Sequence, residues 1–428
     1  MRVCIVGSGA REHALAHVLA RTADVVVTPG NPGMAAPITV TDNEPVEEIA
    51  ADLYVIGPEA PLVAGLADSL RAQGRAVMGP GADGALLEGS KAFMKEVLSA
   101  AGVPTAGFAS FDALESAAAM DYLETLPGPW VIKTDGLAAG KGVLVAQTLD
   151  QARRDVSAKL SGASFGDAGR SIVIEEGLVG EECSLLVLCD GRHAVPLVPA
   201  RDFKRFGDGD TGANTGGMGA YAPMPHVDRQ TVDTIMDTAV RPVVDELRRR
   251  GIDYRGVLYA GLMLTADGPK VIEYNVRFGD PEAEVVLPLL RADAAELFLS
   301  VANGELEGVA PDFSDEAAVC VVLASQGYPE RPRTGDTIEG LNSAGQPVAA
   351  VDGVTVFHAG TRRHSPDGPF HTAGGRVLAV TAVAPTLEQA RERAYAATAP
   401  IDWEGMQMRR DIAALAAGSP VGAGEGSR

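Results

Sequence analysis

The stretch KTDGLAAGKGV, residues 133–143, combines glycines with two lysines, which are residue types that bind phosphate groups. A Walker A loop has the pattern G-x-x-x-x-G-K-[ST], in which backbone amides surround a phosphate and the hydroxyl group contacts Mg²⁺. Here Gly136 and Gly140 lie one residue too close together, and Gly142 replaces the hydroxyl residue. The segment is therefore either a plain hairpin or a different phosphate-binding loop. In the second case Lys133, at the end of an apolar strand, can reach a nucleotide phosphate.

The pentapeptide VIEYN, residues 271–275, has the pattern of a strand with two different faces. Alternate side chains of a strand share a face, so Glu273 and Asn275 point together while Ile272 and Tyr274 point the other way. A carboxylate and an amide oxygen on one face are hard ligands suited to Mg²⁺ beside phosphates. A solvated strand face is the alternative. The charges that follow directly, Arg277, Asp280, Glu282 and Glu284, favour the ligand site.

A third segment, residues 201–221, places cations before a glycine-rich run. Arg201, Lys204 and Arg205 precede the run 212–219, in which glycines allow a ligand to approach the backbone closely. Exposed amides in such a run suit anionic groups. A flexible surface loop is the alternative, but the large apolar residues within the segment argue against it.

The N-terminal strand is followed by a glycine turn that only partly matches a dinucleotide-binding fingerprint. Gly7 and Gly9 fit, but Glu12 occupies the third glycine position, and Thr28 stands where an acidic ribose ligand is expected. These departures disfavour an NAD site. A small anion bound by the backbone amides at the helix N-terminus and a purely structural turn both remain open.

Composition restricts the class of protein further. A length of 428 residues predicts roughly three domains. The net charge of −21 argues against nucleic acid and against anionic membranes as partners, since both favour basic surfaces. No apolar stretch approaches the ~20 residues of a membrane span, and the N-terminus does not have the pattern of a signal peptide. The four cysteines lie in apolar runs without metal-binding spacing, so we expect buried thiols in a cytoplasmic protein.

The chain predicts elements that would position these residues. The N-terminal third alternates strands and helices, as in a parallel α/β domain. Ser90 is expected to cap a helix that ends at Gly102. Two hairpins are expected to turn at Asp190–Gly191 and Asp267–Gly268, and helices are expected over 149–160 and near the C-terminal end.

Eight segments in order along nearly the whole chain resemble one family. They are GSGAREHALAHVLA, PGNPGM, GPEAPLVAGLAD, LEGSKAFMKEVL, VIKTDGLAAGKGV, NTGGMGAY, VIEYNVRFGDPE and FHAGT. Together they are similar to the phosphoribosylamine–glycine ligases, which are ATP-grasp enzymes of purine biosynthesis. The resemblance implies an ATP-dependent joining of glycine to 5-phosphoribosylamine through glycyl phosphate, with ATP and Mg²⁺ (or Mn²⁺) and without an obligate protein partner.

The resemblance also implies a multidomain α/β and α+β fold. It consists of an N-terminal parallel α/β domain over residues 1–100, an ATP-grasp domain over 101–316 and a mixed α/β C-terminal domain over 317–415. Within the ATP-grasp domain, a lobe over about 120–190 is expected to close over ATP as a lid. Residues 416–428 are expected to form a flexible tail.

Residue roles follow from the same resemblance together with the chemistry of the side chains. ATP is expected to contact Lys95, Lys133, Gly140, Lys141, Gly142, Glu175, Glu176, Leu178 and Glu182, and the metal Glu273 and Asn275. The ribose phosphate is expected to bind Gly7, Gly9, Arg11, Asn214, Thr215, Gly216, Gly217 and Asp280, and catalysis is assigned to Asp202, Lys204 and Arg277. Leu262 to Leu264 lack the extra carboxylate that many ATP-grasp enzymes carry, which leaves the number of metal ions open.

Three other functions compete with this interpretation. Another ATP-grasp carboxylate ligase or carboxylase is disfavoured by the NTGGMGAY loop and the C-terminal domain. An NAD-dependent oxidoreductase is disfavoured by Glu12 and Thr28. A non-catalytic ATP-binding protein is disfavoured because Glu273 and Asn275 are both present.

Overall fold

The structure is a computed structural model that describes residues 1–41, 44–136, 142–164 and 171–418. Its N-terminal part is a five-stranded parallel sheet in the order β3-β2-β1-β4-β5. The strands are β1 (Arg2–Gly7), β2 (Asp24–Pro29), β3 (Thr39–Val40), β4 (Leu53–Ile56) and β5 (Ala76–Met78). The helices are α1 (Ala10–Leu19), α2 (Glu59–Val63), α3 (Leu66–Ala72), α4 (Ala82–Gly89) and α5 (Lys91–Ala101). The predicted parallel α/β unit is confirmed.

Both faces of this sheet are buried. Val3 and Ile5 of β1 pack into one hydrophobic cluster, while Cys4 and Val6 pack into another on the opposite face. The strand therefore has an almost uninterrupted apolar sequence, as expected for a parallel sheet that is covered on both sides.

The helix α5 has the predicted ends. The Ser90 side chain accepts a hydrogen bond from the Phe93 amide at its start, and Gly102 adopts a left-handed conformation at its end. The helix carries Lys91 and Lys95 towards the rest of the chain, so its caps fix where two site cations lie.

A second, antiparallel sheet has the order β6-β9-β7-β8 and its own small hydrophobic core. Its elements are β6 (Phe108–Asp112), α6 (Ser116–Thr125), β7 (Trp130–Thr134), β8 (Val143–Ala146), α7 (Leu149–Leu160) and β9 (Ser171–Glu176). We call this unit the lid sheet. It starts before the lobe predicted over about 120–190 and ends before β10, because β10 pairs within the next sheet.

The central sheet, in the order β11-β10-β16-β17, is antiparallel and contains both predicted hairpins. Its strands are β10 (Glu181–Asp190), β11 (Ala194–Pro196), β16 (Arg255–Thr265) and β17 (Gly268–Asn275). Shorter strands lie between its two hairpins, namely β12 (Arg201–Asp202), β13 (Arg205–Gly207), β14 (Thr211–Asn214) and β15 (Gly219–Ala222). The helices of this region are α8 (Arg229–Ile235), α9 (Arg241–Arg249), α10 (Ala283–Val286) and α11 (Ala294–Asn303).

The C-terminal part contributes β18 (Ala317–Ala324), β19 (Val354–His358), β20 (Thr361–Arg363), β21 (Phe370–Thr372), β22 (Arg376–Ala384) and α12 (Leu387–Thr398). Its main sheet has the order β12-β15-β18-β22-β19. Two strands from the glycine-rich region thus extend the C-terminal sheet, so the glycine-rich loop is attached to the C-terminal part. No helix among the described residues combines the length and apolar character needed to cross a membrane.

His358 connects the N-terminal and C-terminal parts. Its amide donates a hydrogen bond to His13 Nδ1 (2.9 Å), and its carbonyl accepts one from Asn31 Nδ2 (2.7 Å). The ring is fully buried and contacts the Gly345 carbonyl and the Thr361 hydroxyl. Burial, with a smaller contribution from Arg363, lowers the pKa of His358 to about 4, although the hydrogen bond to the Gly345 carbonyl opposes the change.

This burial predicts a specific loss of stability in acid. Between pH 6.5 and about 4 the unfolded chain binds a proton at His358 that the folded protein does not, so the free energy of unfolding falls as pH falls. The free energy of unfolding of wild type and of His358→Gln can be measured by urea titration at several pH values. The slope of this free energy against pH should be smaller in the variant, by about one proton or roughly 1.4 kcal/mol per pH unit.

The matched control is His364→Gln, since His364 is exposed. Its slope should equal that of wild type. An unchanged slope in His358→Gln would show that His358 does not carry this pH dependence.

Candidate functional site

Strand register gathers polar side chains on one face of the central sheet. Ser184 of β10 lies opposite Gly261 of β16, and Gly261 lies opposite Glu273 of β17. Tyr259 lies opposite Asn275 in the same way. A Cβ atom at Gly261 would lie 3.2 Å from the Glu273 Cγ atom, so glycine leaves room for the carboxylate against the sheet. We call this surface the polar sheet face, and it bears out the shared face predicted for Glu273 and Asn275.

Cations surround the Glu273 carboxylate. Lys204 Nζ lies 3.5 Å from Oε1, and Lys91 Nζ lies 3.7 Å from Oε2. Burial alone would raise the pKa of Glu273, but Lys204, Lys91, Lys133 and Arg277 outweigh it and lower the pKa. Lys204 also lies 3.6 Å from Glu182 Oε2. Glu273 is therefore ionised and available as a negatively charged ligand at neutral pH.

Arg277 holds the end of β17 against the N-terminal domain. Its guanidinium donates to Glu88 Oε1 (2.7 Å), Glu59 Oε2 (3.3 Å) and Asn275 Oδ1 (3.3 Å). Burial opposes the charge on Arg277, but Glu88 and Glu59 raise its pKa above the ordinary arginine value. The Asn275 oxygen is thus oriented by a permanent cation at the edge of the cleft.

Glu273 and Asn275 fit a magnesium ion of the kind that is shared with a substrate. Mg²⁺ keeps several waters and binds through one or two protein oxygens together with substrate phosphates. Among the described residues no group of three or more His, Cys, Asp or Glu side chains could hold a metal alone. A carboxylate and an amide oxygen on the same face of one strand agree with the shared type of site.

Lys95 and Lys133 flank one carboxylate at the junction of the lid sheet and the central sheet. Their Nζ atoms lie 3.2 and 2.9 Å from Glu175 Oε1, and all three side chains are buried. Lys133 also donates to the Ile272 carbonyl (2.8 Å), and Lys95 donates to Thr105 Oγ1 (2.7 Å). Burial lowers the pKa of Lys95 to about 8, opposed by Glu175.

Of the other predicted ATP contacts, Glu176 ends β9, Leu178 follows that strand, and two residues lie outside the described part of the chain. Glu176 accepts a hydrogen bond from the Gly107 amide (2.9 Å), and Leu178 lies in the connection from β9 to β10. The carbonyl of Gly142 accepts a hydrogen bond from the Thr134 amide (2.9 Å) at the base of the loop. Gly140 and Lys141 lie outside the described residues.

The glycine-rich loop is fixed by residues far away in sequence. Arg376 of β22 donates to the carbonyls of Gly216, Gly217 (3.5 Å) and Asp280 (2.8 Å) and lies 3.1 Å from the Asp280 carboxylate. Thr215 Oγ1 donates to the Lys204 carbonyl (2.9 Å). The predicted substrate residues Thr215, Gly216, Gly217 and Asp280 are thereby brought together, while Asn214 ends β14 opposite Arg205.

The N-terminal glycine turn also lies beside Asp280. A Cβ atom at Gly9 would lie 3.7 Å from Asp280 Oδ2, and Arg11 donates to the Phe278 carbonyl (3.3 Å). Glu12 folds back into the turn, where its carboxylate accepts hydrogen bonds from the Gly9 amide and from Arg11, both at 2.6 Å. Glu12, at the third fingerprint position, therefore places a carboxylate inside the turn. The sequence alone did not predict this.

Sequence reasoning also missed Arg376, Lys91, Ser184 and Tyr259 as members of the cleft. Arg376 lies about a hundred residues beyond the other cleft groups, in an unremarkable strand. Ser184 and Tyr259 lie in strands that the sequence does predict. Only the register between those strands shows that both residues share the face of the predicted ligand residues.

A lid sheet beside a second antiparallel sheet with a carboxylate, an amide and several lysines defines a protein of the ATP-grasp class. Family models agree with this class and are more specific. The N, ATP-grasp (A) and C domains of phosphoribosylglycinamide synthetase match residues 1–88, 89–283 and 318–415. The first division falls at 88/89, so these models assign α5 to the A domain, whereas the sequence predicted a boundary at 100.

Curated relatives match over almost the whole chain. A phosphoribosylamine–glycine ligase of Streptomyces coelicolor is 47% identical over 434 residues, covering 98% of this chain and 100% of the relative. That of Escherichia coli K12 is 45% identical over 427 residues, covering 96% and 98%. The chain belongs to the phosphoribosylamine–glycine ligase family.

Solved structures give the same result for the fold. The phosphoribosylamine–glycine ligase of Thermotoga maritima superposes with a TM-score of 0.83 at 33% identity, covering 96% of this chain and 100% of that one. A biotin carboxylase of Campylobacter jejuni has a TM-score of 0.69 at 15% identity, covering 95% and 92%. The second similarity concerns the ATP-grasp fold alone.

The Glu175 arrangement predicts a large effect on stability. Glu175→Gln leaves two buried ammonium groups without their carboxylate, and breaking a buried ion pair in this way costs about 3 kcal/mol or more. The free energy of unfolding from urea titration at pH 7 measures this loss.

Glu176→Gln is the neighbouring control, because the Glu176 carboxylate accepts one hydrogen bond at a partly exposed position. It should cost about 1 kcal/mol or less. Equal losses in the two variants would contradict the role of Glu175 as the shared counter-charge.

Proposed function

We propose that this protein joins glycine to 5-phosphoribosylamine at the expense of ATP, giving glycinamide ribonucleotide, ADP and phosphate in purine biosynthesis. The observation that carries the proposal is the similarity to phosphoribosylamine–glycine ligases over all three domains at 45–47% identity. The partners are then small molecules. The meeting of groups from the three domains around Asp280 supports a site that must bind more than ATP.

On the ATP side, the junction of the lid sheet and the central sheet is the proposed nucleotide site. Lys95 and Lys133 supply ammonium groups for the phosphates, and residues 175–178 with Glu176 and Leu178 face the base. Glu182, whose side chain is 43% exposed, is proposed to accept hydrogen bonds from the ribose hydroxyls. Gly140, Lys141 and Gly142, which lie between β7 and β8 in the sequence, are the remaining proposed ATP contacts.

Glu273 and Asn275 are proposed to hold Mg²⁺ (or Mn²⁺) together with phosphate oxygens. When bound, the ion neutralises charge on the transferring phosphoryl group. Lys204 and Lys91 add positive charge beside Glu273, and Arg277 orients the Asn275 oxygen.

The chemistry requires activation of a poor acyl donor. An oxygen of the glycine carboxylate attacks the γ-phosphorus of ATP, which forms glycyl phosphate and releases ADP. The amine nitrogen of phosphoribosylamine then attacks the carbonyl carbon, the carbon–oxygen bond to phosphate breaks, and the nitrogen loses a proton. Both steps depend on positioned cations and not on a covalent protein nucleophile, and Lys204, Arg277 and Asp202 are the proposed catalytic side chains.

The phosphoribosyl group is proposed to bind between the N-terminal turn and the glycine-rich loop. Gly7, Gly9 and Arg11 would form one side of this site, and Asn214, Thr215, Gly216 and Gly217 the other, with Asp280 between them. Arg376 supports this arrangement because it holds the loop and Asp280 at once.

The proposal predicts a defined isotope transfer. With ATP, phosphoribosylamine made in situ from ribose 5-phosphate and ammonia, and glycine labelled with ¹⁸O in its carboxylate, one labelled oxygen should appear in inorganic phosphate. ADP release should require both glycine and the amine. Turnover with neither substrate, or phosphate without label, would overturn the proposed reaction.

A second prediction concerns the metal ligand. Glu273→Gln should lower kcat by about 100-fold or more and raise the Mg²⁺ concentration needed for half-maximal rate, since the ion supplies much of the charge stabilisation. Steady-state rates at varied Mg²⁺ measure both effects.

Glu124→Gln changes an exposed ion pair with Arg153 and should leave both quantities within about twofold. Near-normal turnover of Glu273→Gln with unchanged Mg²⁺ dependence would show that Glu273 is not a ligand.

A further inference from the structure

A second polar cluster lies on the polar sheet face, beside Asn275. Glu282 Oε1 accepts hydrogen bonds from Ser184 Oγ (2.9 Å) and from the Tyr259 hydroxyl (2.6 Å), and Glu282 is buried. The two hydroxyls come from β10 and β16, while Glu282 comes from the turn after β17. Two donors on one carboxylate oxygen fix the orientation of the other oxygen.

Asp202 stands next to this cluster with an oxygen that has no partner. Its Oδ1 atom is buried and accepts no hydrogen bond from any described residue. A Cβ atom at Gly217, where φ is +110°, would lie 2.7 Å from Asp202 Oδ1 and would clash with Pro281. The glycine-rich loop thus covers one side of Asp202, and it can do so only because residue 217 has no side chain.

The cluster is short of positive charge. Burial and the Glu282 carboxylate raise the pKa of Asp202 well above its ordinary value, although Lys204 and Arg376 oppose this and Glu182 adds to it. Lys204 is already shared between Glu273 and Glu182. A ligand that brings one further cation would restore the balance and allow Asp202 to ionise.

We propose that Asp202 and Glu282 bind the α-ammonium group of glycine, with Ser184 and Tyr259 as the positioning residues of Glu282. This inference rests on the proposed function, in which glycine is the amino-acid substrate and carries an ammonium group. An ammonium group has three N–H donors and requires several acceptors. Asp202 Oδ1 has no donor among the described residues, and the hydrogen bonds that Glu282 accepts from Ser184 and Tyr259 both go to Oε1, which leaves Oε2 as the second acceptor.

The position of the cluster agrees with the direction in which glycine must lie. Tyr259 pairs with Asn275, so the ammonium subsite borders the proposed metal ligands on the same sheet face. With its ammonium group at Glu282, glycine directs its carboxylate towards Glu273, Asn275 and Lys204, where phosphoryl transfer takes place. One end of the substrate is thus held by carboxylates and the other by cations.

The test compares glycine with glycolate, which has the same carboxylate and a hydroxyl group in place of the ammonium. The proteins compared are wild type, Asp202→Asn and Glu282→Gln. The Kd of glycine is measured by direct binding in the presence of a non-hydrolysable ATP analogue and Mg²⁺, and the Ki of glycolate is measured by inhibition of turnover. Each substitution should weaken glycine by about 10- to 100-fold, since a charge-assisted hydrogen bond is lost. Glycolate should change by less than about threefold, because it carries no charge for these carboxylates to bind.

Tyr259→Phe provides a milder variant if Glu282→Gln does not fold, with glycine weakened by about 3- to 10-fold. Glu284→Gln is the matched control, as Glu284 is equally buried two residues further along the chain and has no hydrogen-bond partner among the described residues. Its glycine and glycolate constants should equal those of wild type.

Equal weakening of glycine and glycolate would overturn the subsite, since it would indicate a general structural defect. Unchanged glycine affinity with a raised Mg²⁺ requirement would also overturn it and would assign the pair to a metal ion. A wild-type protein that forms no glycinamide ribonucleotide would instead contradict the proposed function, so the two failures are distinguishable.

Discussion

Antiparallel pairing of β16 with both β10 and β17 is the constraint on which the site depends. The pairing sets Ser184, Gly261 and Glu273 in one row and Tyr259 opposite Asn275. Because side chains alternate along a strand, a shift of one residue in either ladder would turn these groups to the opposite, apolar face. That face carries Leu185, Leu258 and Tyr274 in a hydrophobic cluster, so burial of apolar surface and placement of the charged groups enforce the same register.

Buried charge is the second constraint, and counter-charges throughout the cleft meet it. Lys95 and Lys133 share Glu175, Arg277 has Glu88 and Glu59, and Lys204 lies between Glu273 and Glu182. An ionised group in a low-dielectric interior is costly unless it is paired. Although the net charge of the protein is −21, cations are therefore brought together in this cleft, which is the proposed phosphate site. Substrates that bring their own charges must replace or complete these pairs.

The parts of this arrangement that follow from local pattern could be predicted from the sequence. The caps of α5, the turns of both hairpins, the helix over 149–160 and the shared face of Glu273 and Asn275 depend on neighbours within a few residues. The strands β3 and β5 were not predicted because two or three residues are too short to show a period. Lys133 was correctly predicted to lie at the end of a strand. Its carboxylate partner Glu175 lies on a different strand, and the sequence predicted Glu175 as a nucleotide contact but not as the partner of Lys133.

Contacts between distant segments account for the rest. Arg376 and Tyr328 follow the other site residues by long stretches of chain, and neither lies in a segment that the sequence analysis singled out. Yet Arg376 and Tyr328 hold the backbone at Gly216, and β15 carries that loop as a strand of the C-terminal sheet. A loop of glycines loses much conformational freedom when it is ordered. Its order therefore has to be supplied by surrounding structure, and here the C-terminal part supplies it, which explains why a cleft between the first two domains depends on the third.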